Sequence, residues 1–155
     1  MADPAPALPN LPLNALSPGN AALLQTAQEF LKQSQPAEAG QVFEKIPFQE
    51  RNHPEVLETR WEILAQSRQW ETALEVAESL CRMTPDHHLA WLYHACSLDE
   101  LGRRLEAYDT LNTAAAKFPE VPTIPYNLAC CACKLGRLKD ASRWLARAIA
   151  VGGRA

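Results

Sequence analysis

The sequence lacks a long apolar run. Hydrophobic residues make up 47% of its 155 residues, yet no stretch approaches the roughly 20 consecutive apolar residues that a membrane-spanning helix needs. The first 20 residues also lack the basic segment followed by a continuous apolar stretch that is typical of a secretory signal peptide. We therefore expect a protein that is neither inserted into a membrane nor exported.

Sequence motifs of enzymatic chemistry are missing as well. The chain has no glycine-rich phosphate loop, no G-x-S-x-G and no H-E-x-x-H. Its net charge is only −3, so nothing predicts a general attraction to nucleic acid. These absences predict a protein that is not an enzyme, takes no cofactor and does not bind nucleic acid.

The sequence does contain a period of 34 residues. Four alanines recur at this spacing (73−39, 107−73 and 141−107): Ala39, Ala73, Ala107 and Ala141. The position four residues beyond each alanine, on the same helical face, is also apolar: Phe43, Ala77, Leu111 and Leu145. A period that holds over three intervals predicts a chain of repeated structural units.

Each unit contains two segments with apolar residues at i, i+3, i+4 and i+7, the pattern of amphipathic helices. The predicted helices are 20–34, 36–46, 54–68, 70–83, 87–101, 104–117, 122–135 and 138–151. Gly102 and Gly136 are predicted to end the first helices of the last two units. Asp86 is predicted to cap the first helix of the third unit.

The units carry a weakened form of the pattern W-x2-L-G-x2-Y. It is represented once by Trp91, Ala95 and Leu98, and again by Leu128, Ala129 and Ala132. From Asn20 to about Gly153 the chain therefore resembles the tetratricopeptide repeat (TPR) family. The resemblance implies an all-α fold: a right-handed α-solenoid of antiparallel helix pairs with about four repeats.

The domain boundaries follow from this repeat. We expect a TPR-like domain at 19–153, with repeats at about 20–53, 54–87, 88–121 and 122–153. Five prolines lie within residues 1–18, and proline cannot maintain helical hydrogen bonding. A flexible, proline-rich tail is therefore predicted at 1–18.

In this family the first helix of every pair lines the inner wall of the superhelix. The resemblance thus implies an adaptor that holds a peptide or helix segment of a partner protein in a concave groove. The residues that this placement assigns to the groove are Gln28, Lys32, Glu55, Glu58, Glu62, Gln66, Leu92, Cys96, Asp99, Tyr126, Asn127, Cys130 and Lys134. A small secretion or assembly chaperone is the alternative function.

The middle of the predicted groove is acidic, so we expect basic or neutral partners rather than acidic ones. One version of the family grips C-terminal carboxylates with lysines and asparagines. The matching positions here hold Leu24, Gln28, Glu58 and Glu62, so that activity is not predicted. The alternative interpretation is that these glutamates form only a solvated helix face.

The stretch Cys130-Cys131-Ala132-Cys133 raises the question of thiol chemistry. Redox-active C-x-x-C pairs sit at helix N-termini, whereas Cys130 lies about two turns inside its predicted helix. A thiolate metal site would have to combine Cys130 and Cys133 with Cys96 and Asp99 of the preceding unit, and it remains a distant alternative. We favour cysteines that fill gaps between close helices, with no metal, in the cytoplasm, where thiols stay reduced.

The C-terminal end of the repeat array is predicted to be uncovered, because helical stacks need a final polar element and none follows in this sequence. Leu135, Trp144 and Ile149 are the candidates for this apolar surface. Either it mediates association of two copies, or a natural cap has been removed. The third alternative is that Trp144 folds back onto its own repeat.

Overall fold

The computed structural model describes residues 15–153. Residues 1–14, which hold most of the predicted tail, and residues 154–155 lie outside the described part of the chain. Between 15 and 153 the chain forms helices and no strand. The helices are α1 (Pro18–Lys32), α2 (Pro36–Phe43), α3 (Pro54–Gln66), α4 (Trp70–Met83), α5 (His88–Glu100), α6 (Arg104–Lys117), α7 (Thr123–Lys134) and α8 (Leu138–Gly152), with a 3-10 turn at Phe48–Glu50.

The helices pack in chain order. Each one contacts the next, and α3 also contacts α1 and α5. The result is a stack of four helix pairs, an all-α helical-repeat solenoid, which confirms the predicted fold class. None of the helices between residues 15 and 153 is both long and apolar enough to cross a membrane.

The repeated alanines lie in the core. Ala39, Ala73 and Ala107 have no exposed surface, and Ala141 is buried as well. Because an alanine side chain is a single methyl group, it leaves room for the neighbouring helices to approach closely. The strict spacing of the alanines therefore reflects the packing of helices within the stack.

The turns inside the four pairs repeat as closely as the alanines do. Gly102 and Gly136 have positive φ angles of 78° and 73°, as predicted. Arg68 and Ser34, one and two periods before Gly102, adopt the same left-handed conformation, each with φ of 57°. Their side chains gave no signal of this, because glycine is the residue that normally marks such a position.

The predicted cap of the third unit is wrong. The residue that precedes α5 is His87, and no side chain caps the helix there. Asp86 instead pairs with Lys117, its carboxylate oxygen 3.0 Å from the ammonium nitrogen. The carboxylate thus connects the start of the third unit to the end of its second helix.

Helix α2 is much shorter than the other second helices, with 8 residues against 14 or 15. It was predicted to reach residue 46 but ends at Phe43, and Pro47 lacks the N–H that a longer helix would use. The Arg51 side chain donates hydrogen bonds of 2.9 Å to the carbonyls of Ile46 and Glu44. These carbonyls are therefore satisfied without a helix.

Two tryptophans bond neighbouring units to each other. The Trp61 indole N–H donates to the Ser97 hydroxyl at 2.9 Å, and the Trp144 indole N–H donates to the Tyr108 hydroxyl at 3.0 Å. All four side chains are buried. A buried indole N–H needs such a partner, so these bonds fix how successive units are oriented.

Candidate functional site

The first helices of the four pairs, α1, α3, α5 and α7, form one surface, which we call the first-helix face. A cleft of about 340 Å³ lies between α1 and α3 on this face. Its lining consists of Gln28, Leu31, Lys32, Glu62 and Gln66. Four of these five residues belong to the groove set predicted from the sequence, so the structure brings them together.

A second, smaller cavity of about 100 Å³ lies between α5 and α7, with α6 behind it. It is lined by Leu92, Ala95, Cys96, Asp99, Ala107, Leu111, Asn127, Cys130, Cys131 and Lys134. Six members of the predicted groove set line this cavity. The buried part of the lining is apolar, and Asn127 and Lys134 add exposed polar groups, a combination that is usual in ligand pockets.

The two cavities occupy the same position of the solenoid, two periods of 34 residues apart. Gln28 corresponds to Cys96 (96−28 = 68), and Gln66 corresponds to Lys134 (134−66 = 68). In each cavity the residue at the second of these positions, Gln66 or Lys134, donates a hydrogen bond to the neighbouring first helix. The Gln66 amide donates to the Leu31 carbonyl at 3.1 Å, and the Lys134 ammonium donates to the Asp99 carboxylate.

On α3 the first-helix face is acidic. Glu58 and Glu62 are both half-buried on α3. Burial, and then the neighbouring Glu58 charge, raise the pKa of Glu62. Burial, together with these two carboxylates, raises the pKa of Tyr93 to about 12. A cation that binds here would relieve the repulsion between the two carboxylates.

The remaining predicted groove residues, Glu55 and Tyr126, are exposed and line neither cavity. Sequence reasoning also missed side chains that shape this surface. Tyr93 stacks on Trp61 with ring centroids 4.1 Å apart, and the buried Thr59 hydroxyl accepts a hydrogen bond of 3.1 Å from Gln28. The 34-residue period could have identified Thr59, because the equivalent residue two periods later is Asn127, a predicted groove residue that lines the second cavity.

The cysteines divide into two groups. Cys131 is buried in the core, as the gap-filling interpretation requires, and burial raises the pKa of its thiol. Cys130 and Cys133 are exposed, so that interpretation is wrong for them. The cause is helical geometry: residues one and two positions from Cys131 lie on other sides of α7.

The metal alternative finds no arrangement to support it. Within residues 15–153 no group of three or more His, Cys, Asp or Glu side chains is placed to hold a metal ion. The Cys96 residue is exposed at the first-helix face by its surface area, although neighbouring atoms partly desolvate its thiol. This partial desolvation, followed by the charges of Glu100 and Asp99, raises the pKa of the thiol. Residues 15–153 therefore give no support for a thiolate metal site.

The tryptophan of the last helix, α8, is less exposed than the sequence predicted. Trp144 is only 9% exposed and is bonded to Tyr108 of the preceding unit, so its predicted place on an uncovered surface is wrong. The reason is that α8 turns this side chain towards α6. Leu135 is half-buried, whereas Ile149 is 68% exposed.

Comparisons with known proteins agree with this architecture. No family model and no curated protein matches the sequence significantly. The structure is similar to that of MamA 41-end from Desulfovibrio magneticus RS-1, with a TM-score of 0.77, 17% identity, and coverage of 86% of this chain and 76% of that chain. Another MamA crystal structure gives a TM-score of 0.75 at 11% identity, covering 86% of this chain and 78% of that one.

A further similar structure is that of PcrH in complex with the chaperone binding region of PopB. Its TM-score is 0.63 at 22% identity, with coverage of 66% of this chain and 82% of that chain. MamA is a TPR-like protein and PcrH is a TPR chaperone. The resemblance inferred from the 34-residue period is therefore confirmed, and the fold of this chain is that of the tetratricopeptide-repeat proteins.

Proposed function

We propose that the protein is an adaptor that binds a peptide or helix segment of a partner protein along its first-helix face. The observation that carries this proposal is the pair of equivalent cavities, two periods apart, which together hold ten of the thirteen groove residues predicted from the sequence. Two cavities at a fixed separation can accept two side chains of one bound segment. Such binding needs neither a catalytic group nor a cofactor.

The preferred partner carries basic or neutral residues. Glu58 and Glu62 are half-buried on α3, and Glu62 lines the α1–α3 cleft. Burial, and then the Glu58 charge, raise the pKa of Glu62, and no cation in residues 15–153 compensates its charge. A lysine or arginine of the partner would supply that compensation, whereas an acidic segment would add to the repulsion. The five unpaired cysteines support a cytoplasmic setting for this binding.

A charge reversal tests the groove. Glu58→Lys/Glu62→Lys should abolish capture of the partner, because it replaces attraction for cations by repulsion. The wild type, this variant and a control variant, Glu71→Lys/Glu78→Lys, are used as baits in cell extract at low salt. The control changes two exposed glutamates of α4, away from the first-helix face. Peptides tiled from proteins that the wild type captures are then titrated in fluorescence anisotropy.

The expected result is that wild type and control bind the same peptides while the double reversal on α3 binds at least tenfold more weakly. Retention of full affinity by Glu58→Lys/Glu62→Lys at low salt, where screening is weakest, would show that the partner lies elsewhere. Equal loss in the control would show that only total charge matters.

The likeness to PcrH favours a chaperone as the second candidate function. A chaperone keeps its partner soluble or assembly-competent, whereas an adaptor only connects partners that fold on their own. Co-expression separates the two. A partner that aggregates alone and stays soluble with the wild type, but not with Glu58→Lys/Glu62→Lys, identifies a chaperone.

We also propose that two copies associate through α8. Leu145 occupies the repeat position of Phe43, Ala77 and Leu111, all of which are buried, yet it is 45% exposed. Ile149 lies one turn further along the same helix face and is 68% exposed. Contiguous apolar surface of this kind is characteristic of an interface.

A further inference from the structure

A third cavity lies away from the first-helix face, in the second unit, between α3 and α4. It is a cleft of about 420 Å³. The charged and polar side chains that line it are Asn52, Arg60, Thr72, Glu75, Ser79 and Arg82. Leu57, Val76 and Met83 provide its apolar surface.

The cleft borders the place where the first unit is incomplete. The last six residues of α4, 78–83, correspond to residues 44–49 of the first unit (78−34 = 44), which form turns rather than the end of a helix. The loop that follows them contributes Asn52 to the lining. Met83, at the end of α4, consequently remains 47% exposed.

Two guanidinium groups line the cleft without a carboxylate partner. Arg60 is half-buried, and in the described part of the chain it makes neither an ion pair nor a hydrogen bond. Arg82 donates one hydrogen bond of 3.0 Å to the Ser79 hydroxyl and likewise has no ion pair with any residue from 15 to 153. Arg60 is half-buried and Arg82 is exposed, so both guanidinium groups are available to an external anion. The partly desolvated charge of Arg60 is unfavourable without a partner.

The remaining lining indicates the chemical class of that anion. A guanidinium binds oxyanions, and carboxylates in particular, through two parallel N–H donors. The volume falls in the range of roughly 300–1,000 Å³ that ligand clefts have, so the anion belongs to a larger group. Since Leu57, Val76 and Met83 form apolar surface beside the two arginines, that group also carries apolar side chains.

We infer that the Arg60–Arg82 cleft binds an acidic peptide segment, a glutamate or aspartate side chain flanked by an apolar one. This site is independent of the acidic first-helix face, which disfavours such a segment. The protein would thus hold ligands of opposite charge on two surfaces. Glu75, the only carboxylate among the lining residues, is exposed and opposes the bound anion.

The test uses a blocked tetrapeptide that alternates glutamate and leucine, titrated into the ¹⁵N-labelled full chain. Amide signals of the cleft residues, including 52, 60, 79 and 82, should shift together. Arg60→Gln and Arg82→Gln should each weaken binding at least fivefold, and Glu75→Gln should strengthen it two- to threefold. Lys139→Gln, an exposed site on α8 that also loses one positive charge, is the matched control and should leave the affinity unchanged.

Two further titrations separate the sources of binding. The glutamine version of the peptide tests the carboxylate, and sodium acetate tests a free anion; both should bind at least tenfold more weakly than the acidic peptide. The inference would be overturned if the glutamine peptide bound equally well or if both arginine variants kept the wild-type affinity. It would also be overturned if the shifted signals lay on the first-helix face instead, or if no binding occurred at millimolar peptide. Circular dichroism of every variant confirms that the helices are retained. Because Glu58 and Glu62 remain intact throughout, failure here leaves the proposed groove untouched.

Discussion

Two ionisable side chains on the first-helix face are partly buried beside carboxylates, which disfavours their charged forms. Glu62 is a half-buried carboxylate beside another carboxylate, Glu58. Tyr93 is a half-buried phenol beside both of them. Shifted pKa values of this kind are typical of binding sites, where an oppositely charged group of the ligand stabilises the carboxylates.

Neutralising Glu62 should therefore stabilise the free protein. Glu62→Gln removes a charge that folding partly desolvates. Because solvent screens part of this charge, we expect the free energy of unfolding at pH 7 to rise by only about 0.5 kcal/mol. The pKa of Glu62 is raised in the folded state above the ordinary glutamate value of 4.5. The ionised Glu62 side chain therefore destabilises the fold at a pH above the raised pKa, and this destabilisation disappears as the pH falls to 4.5. The advantage of the variant should disappear over the same interval.

Urea unfolding of the wild type and of Glu62→Gln at pH 7 and pH 4 measures this difference. Glu71→Gln, which changes an exposed carboxylate on α4, is the control and should shift stability little at either pH. A Glu62→Gln variant that is less stable than the wild type at pH 7 would show that its carboxylate is compensated in solution.

At the scale of the helices, the connection within each pair is the most regular feature. The four left-handed residues, at positions 34, 68, 102 and 136, stand one period apart, although only two of them are glycines. A left-handed conformation costs a residue with a Cβ roughly 1–2 kcal/mol. The first two units therefore carry a strain that the last two avoid.

Substitutions at these turns should have opposite effects in the two halves. A Cβ at Gly102 or Gly136 would meet nothing within 4 Å, so Gly102→Ala and Gly136→Ala should lose about 1 kcal/mol through backbone conformation alone. Ser34→Gly and Arg68→Gly should not destabilise, and they should gain up to about 0.5 kcal/mol after the larger entropy of the unfolded glycine is subtracted.

Thermal unfolding followed by circular dichroism gives the comparison. Gly40→Ala is the internal control: this glycine lies within α2, and its Cβ would make an ordinary contact of 3.9 Å with Ile63. It should raise the melting temperature, because alanine is the better helix former. Equal effects of alanine at positions 40, 102 and 136 would contradict the argument from the left-handed conformation.

At the scale of the whole molecule, the two ends of the stack are unlike its middle. The first unit has a shortened second helix, and the last unit exposes positions that are covered in the units before it. In a solenoid each unit buries its apolar surface against its neighbours. The Arg60–Arg82 cleft includes Asn52 of the loop that follows the shortened α2, and the exposed apolar face of α8 lies at the other end of the described stack.

Association through α8 should depend on its exposed leucine and isoleucine. Sedimentation velocity over a wide concentration range should show dimers of the wild type, and Leu145→Glu/Ile149→Glu should be monomeric. Phe48→Glu is the control, because Phe48 is 76% exposed in the first unit, at the opposite end of the described stack. Trp144→Glu is unsuitable, since Trp144 is buried and its replacement would disturb the fold. A wild type that remains monomeric at the highest concentration contradicts the proposal.

The sequence alone determined the architecture. A 34-residue period with small residues at the helix contacts leaves few ways to bury apolar surface other than stacked helix pairs, because each unit repeats the same pattern and needs the same neighbours. Gly102 and Gly136 were identifiable as helix ends because glycine adopts positive φ at little cost. The first-helix face followed from the resemblance to the TPR family, which assigned most of its cavity-lining residues in advance.

Only the tertiary structure decided which apolar and polar side chains meet. The sequence predicted an exposed Trp144, yet this side chain is buried, and its indole N–H donates a hydrogen bond to the Tyr108 hydroxyl of the preceding unit. Cys130 and Cys133 resemble core residues in composition but face outward, because α7 is rotated to bury Cys131. Arg60 and Arg82 are 22 residues apart and belong to different helices, and only packing of α3 on α4 places them in one cleft. The period fixes which helices pair, but rotation of each helix about its axis depends on contacts between units, and no single segment of the sequence contains those contacts.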